Sequence, residues 1–339
     1  MNISYSRVQS YLRCPYSHFL GYEVGVKPKK PQRPLYFGTD FHRLLEVRSD
    51  PQKVEQVYKE ITDTYYEIPA NWQSDLGENY LDDLWSIFQD YNDVYNNEKL
   101  PSVTEKEFEI PIFEHKGEPY LFKGKIDELY LKKKNGKKTI KIGEHKTFSI
   151  KPSNSVLIMN TQKSLYAKAV KFLYGVLPDS VIWDYICSKP APAPVFLEKS
   201  GMFSKTKLNK ATPFSYVRAC KQYNIEPEAD IAAELMENIP NYFFRVEQDY
   251  QPEIVDHVWK GFLYQAKLIA RYGKTNKTKN MGRDCIWCSY YNICYTQITG
   301  GNIKYLLERE YEIHNRTDVV TEERLSLIHI SEPTRQAEI

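Results

Sequence analysis

The stretch from Lys125 to Lys146 constrains this chain more than any other. It opens on Lys125-Ile126-Asp127, turns through Lys132-Lys133-Lys134-Asn135-Gly136-Lys137-Lys138, and closes on Glu144-His145-Lys146. Asn-Gly is the strongest short-range hairpin signal, because a type I′ turn needs positive φ at both central residues. The flanks, Pro119–Leu131 and Thr139–Lys146, are rich in Tyr, Phe, Ile and Thr or alternate in polarity, as strands do. A two-residue loop sets Lys134 against Lys137. Counting away from the turn along both strands then places Asp127 opposite Glu144, with Cβ atoms about 5 Å apart. Lys146, two residues on, projects from the same face as Glu144.

Two opposed carboxylates repel, and a like-charge cross-strand pair destabilises a sheet. A divalent cation such as Mg²⁺ or Mn²⁺ removes the conflict, since such ions prefer hard oxygen ligands. A lysine beside the ion can orient a water and neutralise charge growing on a phosphoryl group. The plainer alternative is an exposed hairpin with charged faces. That explains the Lys-rich turn but not an Asp/Glu pair flanked by Gly124 and Gly143.

Charged residues make up 27% of the 339 residues and the hydrophobic set 42%, the balance of a soluble globular protein. No run approaches the roughly 18 apolar residues of a membrane helix. The segment Met1–Arg7 lacks the apolar core of a signal peptide, so a cytoplasmic location is expected. In that compartment the six cysteines are thiols or metal ligands rather than disulfides. With a net charge of only +2, any polyanion site must come from local clustering. The segment 325–339, which contains Leu325-Ser-Leu-Ile-His-Ile-Ser-Glu-Pro-Thr-Arg335, resembles an in-frame translation of a sequencing-library adapter. The expected fold is therefore confined to 1–324, as one domain with its core over 104–187.

Along the chain, Arg7–Leu20 has the spacing of a short amphipathic helix interrupted at Cys14-Pro15, and Lys27 to Pro34 reads as a linker. A helix is expected to open at Gly38-Thr39-Asp40, carrying His42 and Glu46 on one face. A lone helical histidine is more often packed than a ligand. Residues 51–100 have helical periodicity. Val103–Phe113 suits a strand with Glu107 and Glu109 on one face. A helix from Val156 to Tyr174, stopped by Gly175, aligns Gln162 with Tyr166, and Val181–Cys187 suits a buried strand. Helices are expected over Pro213–Asn224, Ala229–Glu237 and Glu253–Tyr272. Lys267, Arg271, Lys274, Lys277, Lys279 and Arg283 then form a basic run beside Cys285. It is either a solvated surface or, interleaved with Tyr264 and Tyr272, a track for a phosphate backbone.

Ile126-Asp127, Glu144-His145-Lys146 and Gln162-Lys163-Ser164-Leu165-Tyr166 together resemble the consecutive motifs of the PD-(D/E)XK nucleases, RecB-like branch. Gly38-Thr39-Asp40-Phe41-His42 resembles the upstream histidine motif of that branch. Cys14, with Cys285-x2-Cys288-x5-Cys294 far downstream, resembles its iron–sulfur signature. The pattern is most similar to CRISPR-associated and phage-encoded single-strand exonucleases, with Ile126 where the family name has Pro.

The resemblance implies an α/β, restriction-endonuclease-like core: a mixed central sheet flanked by helices, with helical insertions and a Cys₄ region joining the N- and C-terminal segments. It implies that Asp127 and Glu144 bind Mg²⁺ or Mn²⁺ with His42 and the backbone carbonyl of His145. Lys146 would position the attacking water, and Gln162 and Tyr166 would orient substrate or the lysine. It further implies exonucleolytic cleavage of DNA, single-stranded or at ends, leaving 5′-phosphates, in a bacterial or phage-encoded protein. Spacing alone leaves the Cys₄ set open between zinc and a [4Fe–4S] cluster, and the resemblance favours the cluster. Cys187 and Cys220 are expected to be packing residues. Two other functions compete: a non-catalytic DNA-end-binding subunit, and a spacer-trimming factor with recombination or CRISPR-adaptation partners.

Overall fold

The computed structural model describes residues 1–134, 137–153 and 159–314. The Asn135-Gly136 turn, the start of the helix expected from Val156, and the segment 325–339 lie outside the described residues. The main helices are α1 (Tyr5–Arg13), α2 (Arg33–Glu46), α3 (Pro51–Glu67), α4 (Tyr80–Val94), α5 (Gln162–Tyr174), α6 (Pro252–Tyr272) and α7 (Tyr291–Ile298). The main strands are β1 (Asn2–Ile3), β2 (Val103–His115), β3 (Glu118–Lys134), β4 (Lys137–Phe148), β5 (Ser180–Cys187) and β6 (Phe243–Asp249). The chain divides into two compact units, one of Pro31–Ile110 and Gly124–Trp259, the other of Met1–Lys30, Pro111–Lys123 and the described residues from Lys260 onward.

The first unit is built on a mixed sheet. β3 and β4 are antiparallel and pair from Lys134–Lys137 to Glu128–Gly143, the register a two-residue loop dictates. One further step brings Asp127 to Glu144. β5 lies parallel to β4 with His145 beside Asp184, and β6 lies antiparallel to β5 with Asp184 beside Arg245. β2 pairs with β3. β5 is buried along almost its whole length, as expected of a strand paired on both sides and covered on both faces. Phe37, Phe41, Leu44 and Leu45 recur at helical spacing on α2 and pack with Val54, Ile61, Leu84, Phe88 and Tyr91, against Ile186 and Phe243 of the sheet. The α/β architecture is the one expected: a mixed central sheet flanked by helices.

Two local expectations change. α2 starts at Arg33 rather than Gly38, because Pro34 sits in its first turn, where a missing N–H costs nothing. β6 is a strand that periodicity does not announce, since it lies between helical stretches and pairs only with β5. By contrast α5 ends where expected: Gly175 takes φ +81°, a left-handed conformation costly for other residues, and its N–H caps Lys171 O.

In the second unit β1 pairs parallel with the start of β3, Ile3 beside Phe122. α1 is followed by a helical turn over Pro15–His18 and a π-helical turn over Phe19–Val24. Tyr16, Phe19, Leu20, Val24, Ile293, Leu307 and Tyr311 form the core. The N-terminal segment is strapped to the stretch after α6. The Tyr16 N–H donates to Thr278 O at 3.1 Å, and the Asn280 amide donates to Arg13 O at 3.1 Å.

Candidate functional site

Strand alternation places Asp127 on β3 and Glu144 on β4 on the same side of the sheet as Lys146. Both carboxylates are buried, 8% and 4% exposed. The glycines beside them are there for room. A Cβ on Gly143 would lie 2.9 Å from the Glu128 Cβ, and one on Gly124 would lie 2.9 Å from Cε1 of the Phe108 ring. Asp127 Oδ2 accepts the His145 N–H at 2.9 Å, while its Oδ1 lies 3.7 Å from His42 Nδ1. Glu144 Oε1 accepts from Lys146 Nζ and from Gln162 Nε2, each at 2.6 Å. Glu144 Oε2 is buried with no hydrogen-bond partner among the described residues.

Burial dominates the electrostatics here. It raises the Asp127 carboxyl above its usual range and pushes Glu144 up to about 7, against the opposing pull of Lys146. Burial, together with the charge of His145, lowers His42 to about 4, so its imidazole is neutral and free to act as a ligand at pH 7. Burial works against the Lys146 ammonium, but Glu144 more than offsets it and holds the lysine charged. The ammonium also sits 6.0 Å over the Trp183 ring.

A third carboxylate joins this group. His42, Glu105 and Asp127 each bring a ligand atom within 4.8 Å of the others. Glu105 takes φ +51°, uncommon for a residue with a Cβ. That breaks the alternation of β2, so Glu105 and Lys106 are both half-buried while Glu107 and Glu109 stay exposed. Glu105 also pairs with Lys125. Unbroken alternation would put Glu105 on the exposed face of Glu107 and Glu109. Nothing in Thr104-Glu105-Lys106 signals a left-handed backbone, for which Gly or Asn would be the usual marker.

The opposite face of the same strands holds a second charge network that the sequence did not disclose. His145 Nε2 lies 3.2 Å from Glu128 Oε1, and its Nδ1 lies 3.0 Å from Asp184 Oδ2. Burial alone would lower this imidazole, but the two carboxylates raise it to about 10, so it is an imidazolium. Asp184 resists burial and is held down to about 2 by His145 and Arg245. Arg245 Nε lies 3.1 Å from Asp184 Oδ1, and the Tyr91 hydroxyl donates to Asp184 Oδ2. The His145 side chain therefore clamps β4 between β3 and β5, which leaves its backbone to face Asp127.

Gln162 opens α5 and reaches Glu144. Tyr166, one turn on, packs edge-on against Phe108 at 5.6 Å.

In the other unit, Cys14, Cys285, Cys288 and Cys294 line one cavity with Arg13, Lys279 and Tyr290. Burial, with the other three cysteines adding, pushes the Cys294 thiol up to about 11. Among the described residues no three of these thiols lie within 4.8 Å of one another. Cys187 and Cys220 are buried elsewhere, 8% and 0% exposed.

A family model described as the PD-(D/E)XK nuclease superfamily matches residues 2–295. A curated relative, one of the subunits of an ATP-dependent helicase/deoxyribonuclease from Carboxydothermus hydrogenoformans, is 26% identical over 206 residues. That match covers 51% of this chain and 19% of the relative, so the chain corresponds to about a fifth of that protein. The crystal structure of SSO0001 aligns over 86% of this chain and 85% of its own, at 13% identity and a TM-score of 0.33, too low to carry an argument. No helix among the described residues is long and apolar enough to cross a membrane. The family match spans the sheet, the buried acidic pair, Lys146 and the cysteine cavity alike, and the chain belongs to the PD-(D/E)XK nuclease superfamily.

Proposed function

We propose that this chain is a metal-dependent deoxyribonuclease that trims single-stranded DNA or DNA ends and leaves 5′-phosphates. The observation that carries the reading is the buried Asp127–Glu144 pair, with Glu144 Oε2 left unpartnered next to a charged lysine. An unsatisfied buried carboxylate oxygen costs about 1–3 kcal/mol or more, and a divalent cation would satisfy it. Asp127, Glu144, His42 and the His145 carbonyl would hold Mg²⁺ or Mn²⁺, with Glu105 as a further oxygen donor. Bound there, the ion would polarise the scissile phosphate and lower the pKa of water. Lys146 orients the attacking water and neutralises charge on the phosphoryl oxygens, while Gln162 fixes the Glu144 carboxylate. Tyr166, one turn beyond Gln162 and packed on Phe108, would help orient substrate or the lysine. Because Glu144 titrates at about 7, Mn²⁺ affinity should rise as pH increases through 7, where the cation no longer displaces a proton.

The four cysteines line one cavity, and that Cys₄ set would hold a [4Fe–4S] cluster, with a single zinc as the alternative occupant. Such a cluster would tie Cys14 to the segment around α7 and stabilise the unit chiefly by closing a long loop.

The test is to incubate end-labelled single- and double-stranded DNA with Mg²⁺, Mn²⁺ or EDTA and map the products. Metal-dependent, stepwise shortening of single strands to 5′-phosphorylated products is expected. Tight DNA binding with no cleavage under any divalent metal would favour a non-catalytic end-binding role instead.

A further inference from the structure

The stretch around the cysteine cavity exposes three aromatic side chains, one of which, Tyr291, also lines the cavity. Trp287, between Cys285 and Cys288, is 79% exposed. On α7, Tyr291 and Tyr295 are 46% and 57% exposed, and their rings stack at 6.0 Å with an interplanar angle of 15°. They stand four residues apart, so they share one helix face, while Ile293 on the other side is fully buried in the core. The same stretch is strongly basic: residues 267–305 hold seven Lys or Arg against one Asp, in a chain whose net charge is only +2. Flat, exposed π-faces set in a cationic surface fit a polyanion that offers flat faces of its own.

We propose that Trp287, Tyr291 and Tyr295 form a stacking platform for the bases of a single-stranded nucleic acid, whose phosphates are met by Lys274, Lys277, Lys279 and Arg283. The proposal deepens, and rests on, the nuclease reading. It assigns strand capture to residues other than those given the metal and the attacking water. Base–aromatic stacking is tolerant of sequence and is worth about 1–3 kcal/mol per base, so each platform residue is a separable contribution. A duplex, with its bases already stacked internally, gains nothing from these rings. The platform therefore selects single strands.

The test is the binding of fluorescein-labelled oligo(dT) by anisotropy, without divalent metal, over a series of KCl concentrations. Trp287→Ala and Tyr295→Ala should each weaken binding by between about 5- and 150-fold. The slope of log affinity against log salt should not change, because no cation is lost. Trp287→Phe, which keeps a ring, should restore most of the affinity. A merely structural role would change metal content and the salt slope together. Unchanged affinity in both alanine variants would overturn the platform and return these rings to a protein-facing surface.

The wild-type chain gives a second measurement if the alanine variants misfold. Of its five tryptophans, Trp287 is the one that is exposed, so oligo(dT) should shield a tryptophan from acrylamide quenching. Quenching that is unaffected by saturating oligo(dT) would also overturn the proposal. Since binding is read without metal, a chain that cuts DNA yet shows no platform effect loses only this inference. One that binds through the platform and never cuts loses only the catalytic reading.

Discussion

Replacing His145 with Leu tests the buried imidazolium directly. In the native protein this ring carries a proton shared between Glu128 at 3.2 Å and Asp184 at 3.0 Å, with side-chain exposure of 3% for the ring and 7% and 3% for its partners. Leu is close in size but leaves both carboxylates without their common cation. Breaking a buried pair from one side costs about 3–5 kcal/mol. Arg245 on Asp184 and the more distant Arg48, 3.9 Å from Glu128, keep the loss within that range. The pH dependence isolates the cause. The folded pKa of His145 is raised from 6.5 to about 10, so its contribution is fully present below 6.5 and is lost as pH rises toward 10. Between those values the native state holds one proton more than the unfolded state, and stability falls by about 1.4 kcal/mol per pH unit. Urea unfolding of both proteins in EDTA at pH 7, 8 and 9 is the assay. Cysteines, tyrosines and lysines titrate in both proteins, so they cancel in the difference. The gap should be widest at pH 7 and shrink by roughly 2–3 kcal/mol by pH 9. A gap that stays constant over this range would refute a buried imidazolium, whatever its size.

Asp127→Ala or Glu144→Ala should abolish cleavage of end-labelled DNA, whereas Lys146→Ala should lower turnover by about 10²-fold or more with oligonucleotide binding intact. Glu105→Gln should raise the Mn²⁺ concentration for half-maximal activity about tenfold or more, read by metal titration at fixed DNA. If half-saturation is unmoved, Glu105 is only the partner of Lys125. Replacing Lys274, Lys277 and Lys279 with Ala should flatten the salt slope of single-strand binding by up to about 0.7 per lost contact, and an unchanged slope would make the run a solvated surface. Protein purified anaerobically should be brown and carry about four irons per chain. Cys14→Ala should lose the iron and promote aggregation, while Cys187→Ala and Cys220→Ala keep it; colourless protein with one zinc would replace the cluster but retain the Cys₄ set.

What the sequence determined by itself is local. A two-residue Asn-Gly connection and strict strand alternation set the register that pairs Glu128 with Gly143 and sends Asp127, Glu144 and Lys146 to one face. These are properties of neighbouring residues, so no knowledge of the remaining chain is needed. Gln162 was legible on a helix whose Gly175 stop is equally local, although the helix expected from Val156 begins only at Gln162, with Asn160 and Thr161 outside it. Tertiary structure decided everything that depends on what a side chain meets. It turned Glu105 inward through a left-handed backbone that its neighbours do not announce. It made His145 a buried cation by placing Glu128 and Asp184, from two other strands, on either side of it. It gave Glu144 a carboxyl that titrates near neutrality, because the low-polarity surroundings that raise its pKa come from segments far apart in the chain. Cys14 and Cys285 came to line one cavity through the bonds of Tyr16 and Asn280 across the N-terminal segment. Burial and field are sums over non-local neighbours, and a linear pattern carries no record of them until the chain has packed.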